Sequence, residues 1–291
     1  MSFILSTDSS CDVFSSELKN RGIACRPLVY TVDDVAYFDE CDSDAEYRAF
    51  YDLVRGGKLP TTSQINVAEH EEFFDSVLAG NDSDLVHLTL SSGLSSTYES
   101  AVKAAEEVNE RYGKKRVYVV DSLGATVVQR IVLDEAERIR DEGVDAATAA
   151  VRIEELTHRV QVWFMPTDLM HLKRGGRVSG PSAVIGTALN IKPILIINKN
   201  GGLSVVAKKI GMSKGMDYML DNFKKYSDEL TKTVYIPNAD NDEWAQKIQA
   251  KLKDIRPDCD VRIGWVGPVI GSHTGSGMFG VAFLCGKARE N

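Results

Sequence analysis

The stretch Leu90-Ser-Ser-Gly-Leu-Ser-Ser-Thr-Tyr98 stands between an apolar run containing Leu85, Val86, Leu88 and Leu90 and a helix-like run from Glu99 to Glu110. Five small hydroxyl side chains therefore crowd the point where a strand hands over to a helix. One reading is an overbuilt N-cap, because Ser and Thr satisfy the orphan amides of a helix start. The other is an anion site, in which hydroxyls and free amides act together. Either way, the strand-to-helix step signals a β-α unit.

The same step recurs. Phe3 to Ser6 reads as a strand ending in Thr7-Asp8-Ser9-Ser10, and Val117 to Val120 as another ending in Asp121-Ser122. Each precedes a helical pattern, as in β-α units around a mainly parallel sheet, where ligands sit beyond the carboxyl ends of the strands. From Val160 the pattern changes. Strand-like Gln161 to Met165, Ile191 to Ile197, Leu203 to Ala207, 232–236 and 260–265 alternate with helix-like 213–226 and 241–254, and Asn198-Lys-Asn-Gly-Gly202 is a hairpin signal. The expectation is two domains, an N-terminal α/β domain over 1–160 and a C-terminal α+β domain over 161–291.

Composition narrows the function. At 291 residues, with 43% hydrophobic and 26% charged residues, the chain has the make-up of a globular protein large enough to bury a ligand. A net charge of −8 argues against nucleic acid as a partner. The five cysteines are odd in number and lack C-x-x-C spacing, which fits reduced thiols rather than a disulfide framework or zinc site. The five histidines show no H-x-x-x-H or H-E-x-x-H pattern, so no metal is expected. Met1 to Asp8 does not read as a signal peptide and no apolar run reaches membrane-spanning length, so a cytoplasmic location is expected.

Three further segments carry candidate chemistry. Pro60-Thr-Thr-Ser-Gln64 reads as a helix entry with several caps, or as a second hydroxyl cluster, Thr61, Thr62 and Ser63, facing the first. Gly271-Ser-His-Thr-Gly-Ser-Gly277 reads as a glycine-rich loop whose backbone can approach a ligand; within it His273 is either an ordinary loop residue or a donor to a bound anion. Lys173-Arg-Gly-Gly-Arg177 is either a solvated, cation-rich helix end or a means of bringing Arg177 to a site mouth or docking surface. A Ser-His-Asp triad of Ser95, His273 and Asp8 or Asp121 is a further alternative, although no G-x-S-x-G elbow is present.

In order, these pieces resemble the DegV family, bacterial fatty-acid-binding proteins that include the binding subunits of fatty acid kinase. The matching residues are Thr7-Asp-Ser-Ser10, Leu59-Pro-Thr-Thr-Ser-Gln64, Leu90 to Tyr98, Val120-Asp-Ser122, Leu172-Lys-Arg-Gly-Gly-Arg-Val-Ser179, Lys192-Pro-Ile-Leu195 and Val269 to Gly277. The resemblance implies a two-domain α/β fold with a long-chain fatty acid buried between the domains and no cofactor. Its carboxylate would be held by hydroxyls of Thr62, Ser63 and Ser95, with His273 and Arg177 nearby; Thr61, Ser92, Gly93, Ser122 and Thr274 complete the implied ligand-binding set. The carboxylate needs such donors on leaving water, and alkyl burial supplies about 0.8 kcal/mol per methylene. It also implies that the chain does no covalent chemistry itself. A separate ATP-dependent fatty acid kinase would phosphorylate the bound acid to an acyl phosphate, with Arg177 docking the partner or neutralising charge. Membrane contact would be transient, for lipid exchange. The chain departs from the family pattern at Ile65, Ser96, Ser272, Ser276, Met278 and Phe279. The alternative is an enzyme acting on a phosphorylated or acylated small molecule through Gly271 to Gly277; a third is a protein-interaction module with a structural ligand.

Overall fold

The computed structural model describes residues 3–167, 169–178 and 190–290. In chain order its first half comprises β1 (Ile4–Asp8), a 3₁₀ turn Ser9–Cys11, α1 (Ser15–Asn20), β2 (Ile23–Arg26), β3 (Val29–Val32), β4 (Val35–Phe38), α2 (Asp44–Arg55), β5 (Thr61–Ser63) and α3 (Val67–Leu78). It continues with β6 (Leu85–Thr89), α4 (Thr97–Tyr112), β7 (Val117–Asp121), α5 (Val127–Asp141) and α6 (Ala146–Thr157). Four of these strands form a parallel sheet in the order β2-β1-β6-β7, and β4-β3-β5 form a small antiparallel sheet.

The second half comprises β8 (Val160–Met165), α7 (Met170–Arg174), β9 (Ile191–Ile197), β10 (Leu203–Ile210), α8 (Met212–Tyr226), β11 (Thr233–Asn238), α9 (Asp242–Ile255), β12 (Asp260–Trp265), α10 (Pro268–Thr274) and β13 (Phe279–Leu284). Its sheet runs β10-β9-β8-β13-β11-β12, antiparallel except between β11 and β12. Among the described residues, no helix is long and apolar enough to cross a membrane.

Local sequence explains the main elements. β6 is buried at every position, as a central parallel strand covered on both faces must be. Its one polar ring, His87, is accommodated because Nδ1 meets Ser6 Oγ at 2.8 Å. Helix α4 buries Ala101, Ala104, Ala105 and Val108 on one stripe. Parallel register then brings the ends of β1, β6 and β7 side by side, so that the turns after Asp8, Thr89 and Asp121 share one edge. The core does not stop at the first sheet. Leu5, Val86 and Leu88 belong to one apolar cluster with Val162, Phe164, Leu195 and Ala282 of the second, with Val128, Ile131 and Val132 of α5 in the same cluster.

Two segments differ from their sequence reading. Thr61–Ser63, expected as a helix entry, is the strand β5, paired with Val29–Thr31. Helix α3 is instead capped by Asn66, whose side chain accepts from Glu69 N while Glu69 reaches back to Asn66 N. Gly271 to Gly277, expected as a loop, is helical as far as Thr274. Pro268 opens α10 with its φ already suited to a helix, and Gly271 packs inside it, where a Cβ would lie 2.8 Å from Phe50 Cε1. Ser179 of the motif following α7 lies outside the described residues.

Candidate functional site

Beyond the carboxyl end of β6, a cleft of about 430 Å³ opens between the turn after that strand, β5 and α10. Its polar wall is Thr62 and Ser63 from β5, Gln64 just after it, Ser92, Ser95 and Ser96 from the turn after β6, Arg177 beyond α7 and His273 of α10. Its apolar wall includes Leu28, Leu90, Leu94, Val269 and Ile270. Leu94, Ile270 and His273 also border a narrower cavity of about 60 Å³, lined mainly by apolar side chains such as Val128, Val162, Phe164, Leu203 and Met278. A polar mouth thus leads to an apolar slot.

The serine turn is held from beneath. Leu90 N donates to Asp8 Oδ2 at 2.6 Å, and Ser92 N to Asp121 Oδ1 at 3.2 Å. Ser91 N donates to Gly124 O, Gly93 N to Ser91 Oγ, and Leu94 N and Ser95 N to Ser91 O. Thr97 N donates to Ser95 Oγ at 3.2 Å, which also lies 2.9 Å from Thr97 Oγ1. The buried Asp8, the half-buried Asp121, Gly124 O and the turn's own oxygens thus accept from the amides of Leu90 to Ser95 and of Thr97, which fixes the turn. The side-chain donors that line the cleft include hydroxyls, His273 and Arg177.

Those groups converge. His273 Nε2 is 2.9 Å from Thr62 Oγ1. Burial, and then the charge of Arg177, hold its pKa down to about 4, so the imidazole is neutral near pH 7. Its Nδ1 is buried without a partner among the described residues and faces Gly175, where a Cβ would sit 2.3 Å away. Any side chain at 175 would displace the ring. Arg177 is pinned by Nε to Leu94 O at 3.0 Å and by Nη1 to Gly175 O at 2.5 Å. Burial pulls its pKa down, and among the described residues no carboxylate pairs with it. A half-buried guanidinium without a counter-ion beside neutral donors suits an anionic ligand.

Among the described residues no serine and acid flank His273: it bonds Thr62, its Nδ1 has no partner, and Ser95 Oγ is engaged with Thr97. The relay geometry of a triad is not formed. Among the described residues, no group of three or more His, Cys, Asp or Glu is placed to hold a metal ion.

The other named residues lie around the cleft rather than in its wall. Thr61 lines an adjoining cavity of about 260 Å³ with His171, Arg174 and Arg177. Thr274 lines the apolar slot. Gly93 abuts the β9–β10 turn, where a Cβ would fall 2.4 Å from Gly201 C, and Ser91 Oγ donates to Gly201 O across the same contact. Ser122 is fully buried and closes a local turn through Gly124. Sequence reading missed Leu28, Leu94 and Ile270 as wall residues, because apolar residues carry no mark of which cavity they face.

Comparison with known proteins places this geometry. The family model described as "Uncharacterised protein, DegV family" matches residues 2–285. A DegV domain-containing protein of Clostridium perfringens is 33% identical over 99% of both chains. A structure described as fatty acid binding of a DegV family protein from Thermus thermophilus superposes with TM-score 0.87 at 26% identity, covering 98% of this chain and 100% of that one. The Streptococcus pneumoniae fatty acid kinase B3 protein, loaded with linoleic acid, shares the fold with TM-score 0.82 at 17% identity, over 98% and 100% of the two chains. With the match running through the strands, turns and helix that build the cleft, this chain belongs to the DegV family.

Proposed function

We propose that the chain is a fatty-acid carrier. A long-chain acid places its carboxylate against Thr62, Ser63, Ser95 and His273 under the field of Arg177, and its alkyl tail between the first 160 residues and the remainder, acting as two domains. The observation that carries this reading is a half-buried Arg177, paired with no carboxylate among the described residues, beside neutral hydroxyls at the mouth of an apolar slot. The fatty-acid-binding relative of the same fold from Thermus thermophilus supports it. Alkyl burial at about 0.8 kcal/mol per methylene provides the affinity; the hydroxyls fix the orientation. An acyl chain exceeds the slot, so binding requires the apolar side chains between the sheets to move apart.

The finer reading is that the bound acid is presented to a separate ATP-dependent kinase, which forms the acyl phosphate. The fold shared with the fatty acid kinase B3 protein supports it, as does the position of Arg177 at the mouth. The chain itself then performs no bond chemistry.

Native mass spectrometry of the protein, followed by analysis of its organic extract, tests the carrier reading. A mass excess matching one recovered fatty acid per chain is expected. A protein that carries none and takes up none when offered would overturn it.

A further inference from the structure

Thr126 is an anomaly in the apolar slot. Its backbone sits at φ 56° and ψ −134°, a region open to glycine and costly for a β-branched residue. The surroundings hold it there. Its N–H donates to Ser10 O at 2.6 Å, and the Ser10 hydroxyl is itself fixed 2.5 Å from Asp8 Oδ1 and 2.6 Å from Gln129 Oε1. On the other side, Arg130 N donates to Thr126 O at 2.9 Å and begins α5.

Only 7% of Thr126 is exposed, and it lines the slot with Leu94, Val128 and Phe164. The second threonine there, Thr274, donates its hydroxyl to backbone carbonyls of α10 and its cap. The Thr126 hydroxyl has no hydrogen-bond partner among the described residues. A strained backbone thus holds a donor against an otherwise apolar path.

We infer that Thr126 determines acyl-chain preference, favouring a cis-unsaturated chain over a saturated chain of equal length. A saturated chain that fills the slot shuts the hydroxyl off from water against methylenes alone, which is unfavourable for a donor. A cis double bond offers its π face to the O–H, a weak but directional acceptor. Discrimination arises as much from the penalty on the saturated chain as from the gain on the unsaturated one. The inference rests on the fatty-acid reading above.

Delipidated wild-type protein, Thr126→Val and Thr126→Ser are each offered equimolar oleate and stearate, and the retained acids are extracted and quantified. Circular dichroism confirms that each variant is folded. The wild type is expected to favour oleate by about two- to fivefold, Thr126→Ser to keep that ratio, and Thr126→Val to bring it near one. An unchanged ratio in Thr126→Val, its loss in Thr126→Ser, or no oleate preference in the wild type would each overturn the inference while leaving lipid binding intact. Failure of the wild type to retain either acid would instead bring down the carrier reading, and this inference with it.

Discussion

Two hydroxyl-rich turns lie side by side at the same sheet edge and have opposite fates. After β1, Thr7, Asp8, Ser9 and Ser10 are 0 to 8% exposed. Asp8 accepts from Ser10 N, Ser10 Oγ, Gln129 Nε2 and Leu90 N, so its carboxylate gathers the local donors into a closed network. After β6, Ser92, Ser95 and Ser96 line a cleft. The residue types are alike. An acid buried among the hydroxyls turns the first cluster into structure, whereas the second, from which that acid and Asp121 take only the amides of Leu90 and Ser92, keeps hydroxyls at a cavity wall. A Ser/Thr cluster is therefore uninformative until its counter-groups are known.

The largest effect should come from breaking the closed network. Asp8→Ala strands several buried donors and is expected to cost about 3 kcal/mol or more in urea unfolding; a loss below about 1 kcal/mol would show that the network is dispensable. Burial raises the pKa of Asp8, so Asp8→Asn, which mimics the protonated acid, should be milder.

Next comes the neighbouring acid Asp39, which burial pushes up to about 7. A raised carboxyl pKa means that the folded state holds a proton the unfolded state has released, so stability falls as pH rises from about 4 through 7. Asp39→Asn should therefore stabilise the protein by about 2 kcal/mol more at pH 8 than at pH 5. His70 and His273, both held down to about 4 by burial, act oppositely. Their folded states resist protonation, and stability falls as pH drops below about 6.5. Denaturation series of wild type and variant at the two pH values separate the contributions, and an equal gain at both would refute the assignment.

The cleft should respond through affinity. Thr62→Ala removes one donor to the proposed carboxylate and the Thr62–His273 contact, and is expected to weaken fatty-acid retention about tenfold with little change in stability. Ser95→Ala should weaken retention and also cost about 1 kcal/mol, because Ser95 Oγ accepts from Thr97 N at the start of α4. Undiminished retention in both would contradict the hydroxyl cradle. The smallest effect is expected at Ser122, buried in its own turn: Ser122→Ala should cost about 1 kcal/mol of stability and leave retention unchanged. Equilibrium binding of a fluorescent fatty acid would detect any departure.

Strands β1, β6 and β7 were legible because their apolar runs end abruptly in Thr, Ser and Asp, and the Asn198–Gly202 hairpin because its turn residues have a distinct backbone chemistry. Pairing partners were not. β5 has only three residues, and its strand character comes from hydrogen bonds to Val29–Thr31, some thirty positions away. Helix α10 was hidden by its glycines, since local propensity assigns Gly271 to a loop while the rings of Phe50 and Tyr51 leave room for nothing larger inside a packed helix.

By itself the sequence determined the alternation of strand and helix, the polar turns at strand ends and the residue types available to meet an anion, because periodicity and turn chemistry are local. Which hydroxyls were free to do so was decided only by tertiary structure. That choice depends on Asp8 and Asp121 reaching the turn after β6, on His273 reaching Thr62 and Arg177 reaching Leu94, and on the strained Thr126 being held by Ser10 from a neighbouring strand end. Hydrogen bonds are satisfied in space, and sequence spacing does not encode which distant partner arrives.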